Sequence, residues 1–123
     1  MQNKDGTVWI TFNGEIYNYK ALREELEKKY SFYSDTDTEV IIHLYEEYGE
    51  ECLQYLNGMF AFAIWDSRKK ILFIARDRLG IKPLYYYLKD SRFIFASEIK
   101  AILEHSIKRE VNLQSLYDLL TFN

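Results

Sequence analysis

Three properties of the sequence predict an α+β fold in which antiparallel sheets are covered by helices. Some segments alternate apolar and polar residues with the two-residue period of strands, and others repeat apolar residues with the period of helices. Tyr, Phe and Trp make up 17% of the 123 residues, whereas proline occurs once. This aromatic content is typical of packed, strand-rich layers, and a single proline leaves little room for a flexible linker. We therefore expect one globular domain.

The first elements are a strand and a helix. Residues 8–12 alternate in character and are rich in β-forming side chains, so we expect a strand that ends at the turn signal Asn13-Gly14. Beyond it, apolar residues recur on one helical face up to Tyr30, which indicates an amphipathic helix of about three turns. Asn18 is placed to cap the N-terminus of this helix.

A capping box indicates the second helix. Thr36 can accept a hydrogen bond from the third helical amide while Glu39 reaches back to the cap, and apolar residues at helical spacing follow. Gly49 is the natural end of this helix. A short helix around Cys52 should come next, with its thiol buried and inert.

The second half of the chain predicts two hairpins. Residues 59–65 are apolar on both faces, which is typical of a strand between two layers. A polar turn leads to a strand at 71–75, so these two segments should pair antiparallel. Residues 84–88 and 92–96 indicate a second hairpin.

Two helices are expected after the hairpins. Ser97 is placed to cap the first, and Asn112 to cap the second. No repeat, low-complexity stretch or internal domain boundary interrupts the sequence.

Charge and composition exclude several classes of partner. The chain carries 16 Lys and Arg against 19 Asp and Glu, a net charge of −3, and has no basic run. Nucleic acid and anionic membranes require clustered positive charge, so neither is an expected partner. The N-terminus lacks the apolar segment of a signal peptide, and the lone Cys52 cannot form an internal disulfide. These properties predict a cytoplasmic protein.

Asn13 and Gly14 are candidates for a catalytic site. No partner strand follows this pair within two residues, as it would after a hairpin turn. The Asn13 side-chain amide and the Gly14 backbone N–H could instead point two neutral donors at one oxygen, as an oxyanion hole requires. The hexapeptide alone leaves a plain turn equally open.

Three carboxylates at alternate positions, Asp35, Asp37 and Glu39, suggest a metal site. The capping box argues against this interpretation, because it uses Glu39 locally and no glycine turn or further ligand follows. Asp37 could bind the ammonium group of a ligand or simply complement the helix dipole. We expect no metal and no cofactor in this chain.

The loop at 76–86 concentrates charge, a glycine and the only proline between two strands. Its expected role is a shaped turn in which Asp77 accepts hydrogen bonds from nearby backbone N–H groups. His43 and His105 have no Ser or Cys partner at a recognisable spacing, so the sequence supports no catalytic triad.

Three segments in this order resemble class II glutamine amidotransferases, in particular the glutaminase domain of glutamine-hydrolysing asparagine synthetases. They are Asn-Gly-Glu-Ile-Tyr-Asn at 13–18, Arg-Asp-Arg-Leu-Gly-Ile-Lys-Pro-Leu-Tyr-Tyr at 76–86 and Phe-Ala-Ser-Glu-Ile-Lys-Ala at 95–101. The resemblance covers nearly the whole chain. Sugar-modifying and other asparagine synthetase-like amidotransferases share these segments and remain an alternative.

The resemblance implies an N-terminal-nucleophile fold, with two antiparallel sheets between helical layers. It also implies glutamine as substrate, attacked by an N-terminal cysteine, with the ammonia passed to a synthetase domain that binds ATP and magnesium and activates aspartate. By position, Asn13 and Gly14 would form the oxyanion hole. Glu15 and Asp37 would bind the α-ammonium group of glutamine.

The same resemblance predicts that the domain is incomplete. The family's N-terminal cysteine and its Arg-His-Arg-Gly-Pro segment do not precede Asn13 here. We therefore expect a partial glutaminase domain at 1–112, and at 113–123 the start of the connection to a synthetase domain. The parent protein would be an enzyme and this chain alone inactive; a degenerate domain with a scaffold or assembly role is the alternative. Uncovered sheet faces predict a homodimer or aggregation.

Overall fold

The computed structural model describes residues 1–122, and within this range the chain folds into helices and two sheets. Their order is β1 (Val8–Ile16), α1 (Tyr19–Leu26), α2 (Asp37–Tyr48), a 3-10 helix (Gly49–Gln54), β2 (Gly58–Asp66), β3 (Ile71–Arg76), β4 (Tyr85–Lys89), β5 (Arg92–Ala96), α3 (Ile99–Leu103) and α4 (Leu113–Phe122). None of these helices has both the length and the apolar character needed to cross a membrane.

Both predicted hairpins are present, and each lies in its own antiparallel sheet. The first sheet has the order β1-β2-β3, and the second consists of β4 and β5. In the first sheet Asn13 lies opposite Ala61, which in turn lies opposite Arg76 on β3. Strand β1 is therefore an edge strand, and β2 is buried between its two neighbours.

The layers follow from the alternation of side chains along these strands. One face of the first sheet packs against the first two helices in a core made chiefly of aliphatic and aromatic side chains: Val8, Ile10, Ile16, Leu26, Val40, Ile41, Ile42, Leu44, Tyr45, Phe60, Phe62 and Ile64. The opposite face meets the β4-β5 hairpin, which packs in turn against α3. The order helix, sheet, sheet, helix confirms the predicted α+β class.

Strand β1 is longer than predicted. It passes through Asn13-Gly14 and ends only at Ile16, where Ile16 lies opposite Gly58. The prediction that the strand ends at Asn13-Gly14 was wrong, because β2 offers a partner along the whole of β1 and a continuous ladder of hydrogen bonds outweighs the local turn preference of Asn-Gly.

The first helix and two predicted caps also differ from expectation. Helix α1 ends at Leu26 and is followed by turns, so it has about two turns rather than three. Asn18 occupies the N-cap position without capping, because its side chain bonds instead to the backbone of Tyr55 and Asn57. Ser97 does not cap α3 either: its hydroxyl is used elsewhere, as described below, and Glu98 is the N-cap residue.

The other predicted helix ends are confirmed. Thr36 Oγ1 accepts a hydrogen bond from the Glu39 backbone N–H, and Gly49 ends α2 with a φ of 59°. The Asn112 side chain accepts a hydrogen bond from the Ser115 backbone N–H at the start of α4.

Candidate functional site

The backbone of β1 alternates between bonding to β2 and facing outward. On β2, the Phe60 C=O accepts a hydrogen bond from the Asp77 backbone N–H at 2.8 Å, and the Phe60 N–H donates to Asp77 Oδ2 at 3.2 Å. Both groups of Phe60 are thus turned toward β3. Gly14 lies opposite Phe60 in a non-hydrogen-bonded pair, so the N–H and C=O of Gly14 face the outer edge of the sheet.

The chain itself covers both ends of this outer edge. Near the start of β1, the Val8 N–H donates to Asn3 Oδ1, and Ile10 exchanges hydrogen bonds with the backbone of Met1. At the far end, the Ile16 N–H donates to the Asp37 carboxylate at 3.0 Å.

Between these contacts the edge of β1 is open. Among residues 1–122 the outward backbone N–H groups of Phe12 and Gly14 have no hydrogen-bond acceptor. The strand therefore presents unbonded donors at its edge, and the Asp37 carboxylate lies at one end of the open segment.

Gly14 is required by the close approach of the two strands. A Cβ atom at this position would lie 2.7 Å from Phe60 Cα and closer still to the Met59 carbonyl oxygen. Facing residues of a non-hydrogen-bonded antiparallel pair are the nearest in a sheet, with Cα atoms about 4.5 Å apart. A side chain at position 14 would push β1 away from β2.

The Asn13 side chain lies between the two sheets. Its Nδ2 donates a hydrogen bond to Ser97 Oγ at 3.2 Å, and both residues line a cavity of about 170 Å³. One hydrogen of Nδ2 is used in this bond. The second has no acceptor among residues 1–122, so the amide retains a free donor.

Glu15 and Asp37 place negative charge beside the same stretch of backbone. Glu15 is exposed and its carboxylate forms no hydrogen bond or ion pair within residues 1–122. Asp37 lies in the first turn of α2 and uses Oδ2 to accept from Ile16, the residue after Glu15. Two carboxylates next to free N–H donors can recognise a molecule that carries both an ammonium group and an oxygen.

Glu39 holds the loop that precedes Asp37. Its carboxylate accepts hydrogen bonds from the backbone N–H groups of Tyr33 and Ser34 and from the Ser34 hydroxyl. Burial alone would raise the pKa of Glu39, but these bonds keep the pKa below its ordinary value of 4.5. Of the two hydrogen bonds of the predicted capping box, the one from the Glu39 N–H to Thr36 is present. The other was predicted wrongly, because the Glu39 carboxylate reaches back to Tyr33 and Ser34 rather than to the N–H of Thr36.

Asp77 is the residue that organises the loop after β3, as predicted. Its carboxylate accepts hydrogen bonds from the backbone N–H groups of Phe60, Leu79, Ile81 and Lys82 at 2.9 to 3.2 Å. Burial would raise the pKa of Asp77, but the four donors lower it to about 2. The sequence did not reveal that Asp77 also turns Phe60 toward β3, since that contact joins two strands.

The remaining candidate groups of the sequence show neither a reactive thiol nor a metal site within residues 1–122. Burial raises the pKa of the Cys52 thiol to about 12, which agrees with the prediction of an inert cysteine. Asp35 is exposed and pairs with Arg23 at 3.4 Å, so it does not converge with Asp37 and Glu39. Within residues 1–122 no group of His, Cys, Asp and Glu is arranged to hold a metal ion.

Comparison with known proteins places the chain among amidotransferases. The family model described as a glutamine amidotransferase domain matches residues 1–123. The chain is 48% identical over 118 residues to asparagine synthetase [glutamine-hydrolyzing] 3 of Bacillus subtilis, covering 94% of this chain and 19% of that protein. It is 52% identical over 103 residues to asparagine synthetase [glutamine-hydrolyzing] 3 of Arabidopsis thaliana, covering 83% and 18%. The chain thus spans about a fifth of the length of these relatives.

A solved structure has a similar fold. Glutamine phosphoribosylpyrophosphate amidotransferase from Bacillus subtilis, in complex with ADP and GMP, matches with a TM-score of 0.68 at 26% identity. The match covers 83% of this chain and 24% of that one.

Proposed function

Because the chain belongs to the family of glutamine amidotransferase domains, we propose that it forms part of the glutaminase of a glutamine-dependent asparagine synthetase. Its fold is of the N-terminal-nucleophile hydrolase type, with antiparallel sheets between helical layers. The proposal depends chiefly on the open edge of β1, where the Gly14 N–H faces outward beside Asn13 and the Asp37 carboxylate closes one end.

The two donors match the chemistry of amide hydrolysis. When a nucleophile attacks the side-chain amide of glutamine, the carbonyl oxygen becomes a negatively charged oxygen that needs hydrogen bonds. The backbone N–H of Gly14 and the free N–H of Asn13 Nδ2 would donate to that oxygen without giving up protons. The attacking thiolate would come from the N-terminal cysteine implied by the resemblance, because Cys52 is buried with a raised pKa.

The two carboxylates match the other end of the substrate. Glutamine carries an α-ammonium group, and charge-assisted hydrogen bonds from such a group to carboxylates are about twice as strong as neutral ones. Glu15 is free of protein partners within residues 1–122, and Asp37 keeps one oxygen available after bonding to Ile16. We assign both residues to binding of the α-ammonium group.

The remaining parts of the activity belong to the parent protein in this proposal. Residues 1–112 form part of the glutaminase domain, and 113–123 lead toward a synthetase domain that binds ATP and magnesium. Ammonia released from glutamine is delivered there to ATP-activated aspartate. The chain alone is then inactive, the parent works in the cytoplasm, and the exposed apolar side chains of α4, which include Leu113 and Leu120, favour a homodimer.

The proposal is tested with the full-length protein that contains this chain, by measuring release of glutamate and ammonia from glutamine. Asn13→Ala should lower kcat about 10²- to 10³-fold, the usual effect of removing one oxyanion donor. Asn57→Ala is the matched control, because Asn57 is exposed and its side chain forms no hydrogen bond within residues 1–122.

Two results would contradict the proposal in different ways. Unchanged turnover in Asn13→Ala would remove Asn13 from the site. Absence of any glutamine hydrolysis by the wild-type parent would reject the glutaminase itself and favour a degenerate domain with a scaffold role.

A further inference from the structure

We propose that Ser97 is a positioning residue, which holds the side-chain amide of Asn13 in the orientation that an oxyanion donor requires. This inference rests on the proposed function of Asn13. Its basis is the hydrogen bond from Asn13 Nδ2 to Ser97 Oγ at 3.2 Å, between residues that are 84 positions apart and belong to different layers of the fold.

The Asn13 amide needs such a restraint because its backbone does not provide one. The backbone of Asn13 is fixed by pairing with Ala61, but the side chain can still rotate about two torsions. A donor that must first reorient stabilises a developing charge less than one already in place. When one hydrogen of Nδ2 bonds to Ser97, the plane of the amide is set, and the second hydrogen points in a defined direction.

No other interaction of the structure accounts for the position of the Ser97 hydroxyl. Ser97 follows β5 directly and precedes Glu98, the N-cap residue of α3. Ser97 therefore does not cap α3 in the way that Thr36 caps α2. Within residues 1–122 the Ser97 side chain forms one hydrogen bond, which is the bond to Asn13. It lines the same cavity of about 170 Å³ as Asn13, so the hydroxyl lies where the two sheets meet.

The test compares Ser97→Ala with Ser97→Thr in the full-length protein, using the glutaminase assay. Ser97→Ala should lower kcat roughly three- to tenfold, the value of one neutral hydrogen bond, with little change in KM for glutamine. The oxyanion is absent from bound glutamine and develops only as the amide is attacked, in the tetrahedral intermediate and the transition states that flank it, so a loss of its stabilisation appears in kcat. Ser97→Thr keeps the hydroxyl and should restore kcat to near the wild-type value. Ser106→Ala, at an exposed serine whose side chain has no bond within residues 1–122, is the control.

A double-mutant cycle separates positioning from a general structural effect. If Ser97 acts through Asn13, then Ser97→Ala should cause no further loss of kcat in a protein that already carries Asn13→Ala. A similar loss in both backgrounds would overturn the inference, as would a wild-type kcat in Ser97→Ala. Both results leave the glutaminase proposal intact, whereas a wild-type parent that hydrolyses no glutamine overturns the proposed function and this inference with it.

Discussion

The carboxylate of Asp37 accepts a hydrogen bond from the backbone N–H of Ile16 across 3.0 Å, and this bond joins the first turn of α2 to the end of β1. It uses the outward-facing N–H of the last residue of the strand. The open segment of the β1 edge therefore ends at a fixed negative charge, 21 residues away in sequence.

The first prediction concerns the charge of Asp37. Asp37→Asn keeps an oxygen that can accept the Ile16 N–H but removes the negative charge, so the fold should persist while binding of the α-ammonium group weakens. We expect KM for glutamine in the parent protein to rise roughly ten- to hundredfold, as for loss of a charged hydrogen bond. Asp35→Asn is the control, because the Asp35 side chain is fully exposed. Equal KM values for Asp37→Asn and wild type would exclude Asp37 from substrate binding.

The second prediction concerns the close contact at Gly14. Gly14→Ala should destabilise the chain by about 1–3 kcal/mol, because the new methyl group would lie 2.7 Å from Phe60 Cα. Gly58→Ala should have a similar cost, since its methyl group would lie 2.9 Å from Ile16 Cα. Urea unfolding followed by circular dichroism measures both. If Gly14→Ala unfolds at the wild-type midpoint, the strands at this position are further apart than the structure describes.

The third prediction concerns the response of Asp77 to acid. Its pKa is about 2 in the folded chain against an ordinary value of 3.8, so the folded state favours the ionised carboxylate. This contribution to stability is fully present above about pH 4 and is lost as the pH falls through 2. Asp77→Asn should therefore lower the urea midpoint at pH 7 and reduce the loss of stability between pH 4 and pH 2.

The control for Asp77 is a carboxylate in an exposed turn. Asp90 has a φ of 53°, a conformation that Asn also tolerates, so Asp90→Asn should leave the urea midpoint nearly unchanged. A pH profile of Asp77→Asn that runs parallel to that of the wild type would show that another carboxylate causes the acid response.

The fourth prediction concerns the loop that Glu39 holds. Glu39→Gln replaces one acceptor oxygen by a donor that would face the N–H of Tyr33 or the N–H and hydroxyl of Ser34. We expect a loss of roughly 1–3 kcal/mol in the free energy of unfolding. Hydrogen exchange at the amides of Tyr33 and Ser34 should also become faster. Glu24→Gln, at an exposed position of α1, is the control. Equal exchange rates at Tyr33 and Ser34 in the two variants would contradict the role of Glu39.

Much of the local structure could be predicted because its causes are close in sequence. Thr36 caps α2 by accepting a hydrogen bond from an amide only three residues further along the chain. Gly49 ends the same helix because its own backbone adopts a positive φ. The role of Asp77 as an acceptor of backbone hydrogen bonds could be predicted, because three of its four donors lie within five residues of it.

The predictions of helix caps were wrong where the side chain found a partner far away in the sequence. Asn18 and Ser97 are both good capping residues, but their side chains bond to Tyr55 and Asn57 in one case and to Asn13 in the other. A cap and a bond to a distant partner each contribute on the order of 1 kcal/mol, so the outcome depends on which partner the folded chain brings within reach of the side chain.

The sequence by itself determined the α+β class and the two hairpins, because periodicity and turn residues are local properties. It also made Asn13, Gly14 and Asp37 candidates from their own chemistry, and Glu15 through the resemblance of a short segment to a known family. The tertiary structure alone decided that β1 continues through Gly14 and that the N–H of Gly14 faces outward. That direction depends on how β2 pairs with both of its neighbours, and the contacts of Asn13 with Ser97 and of Asp37 with Ile16 exist only once those strands have met.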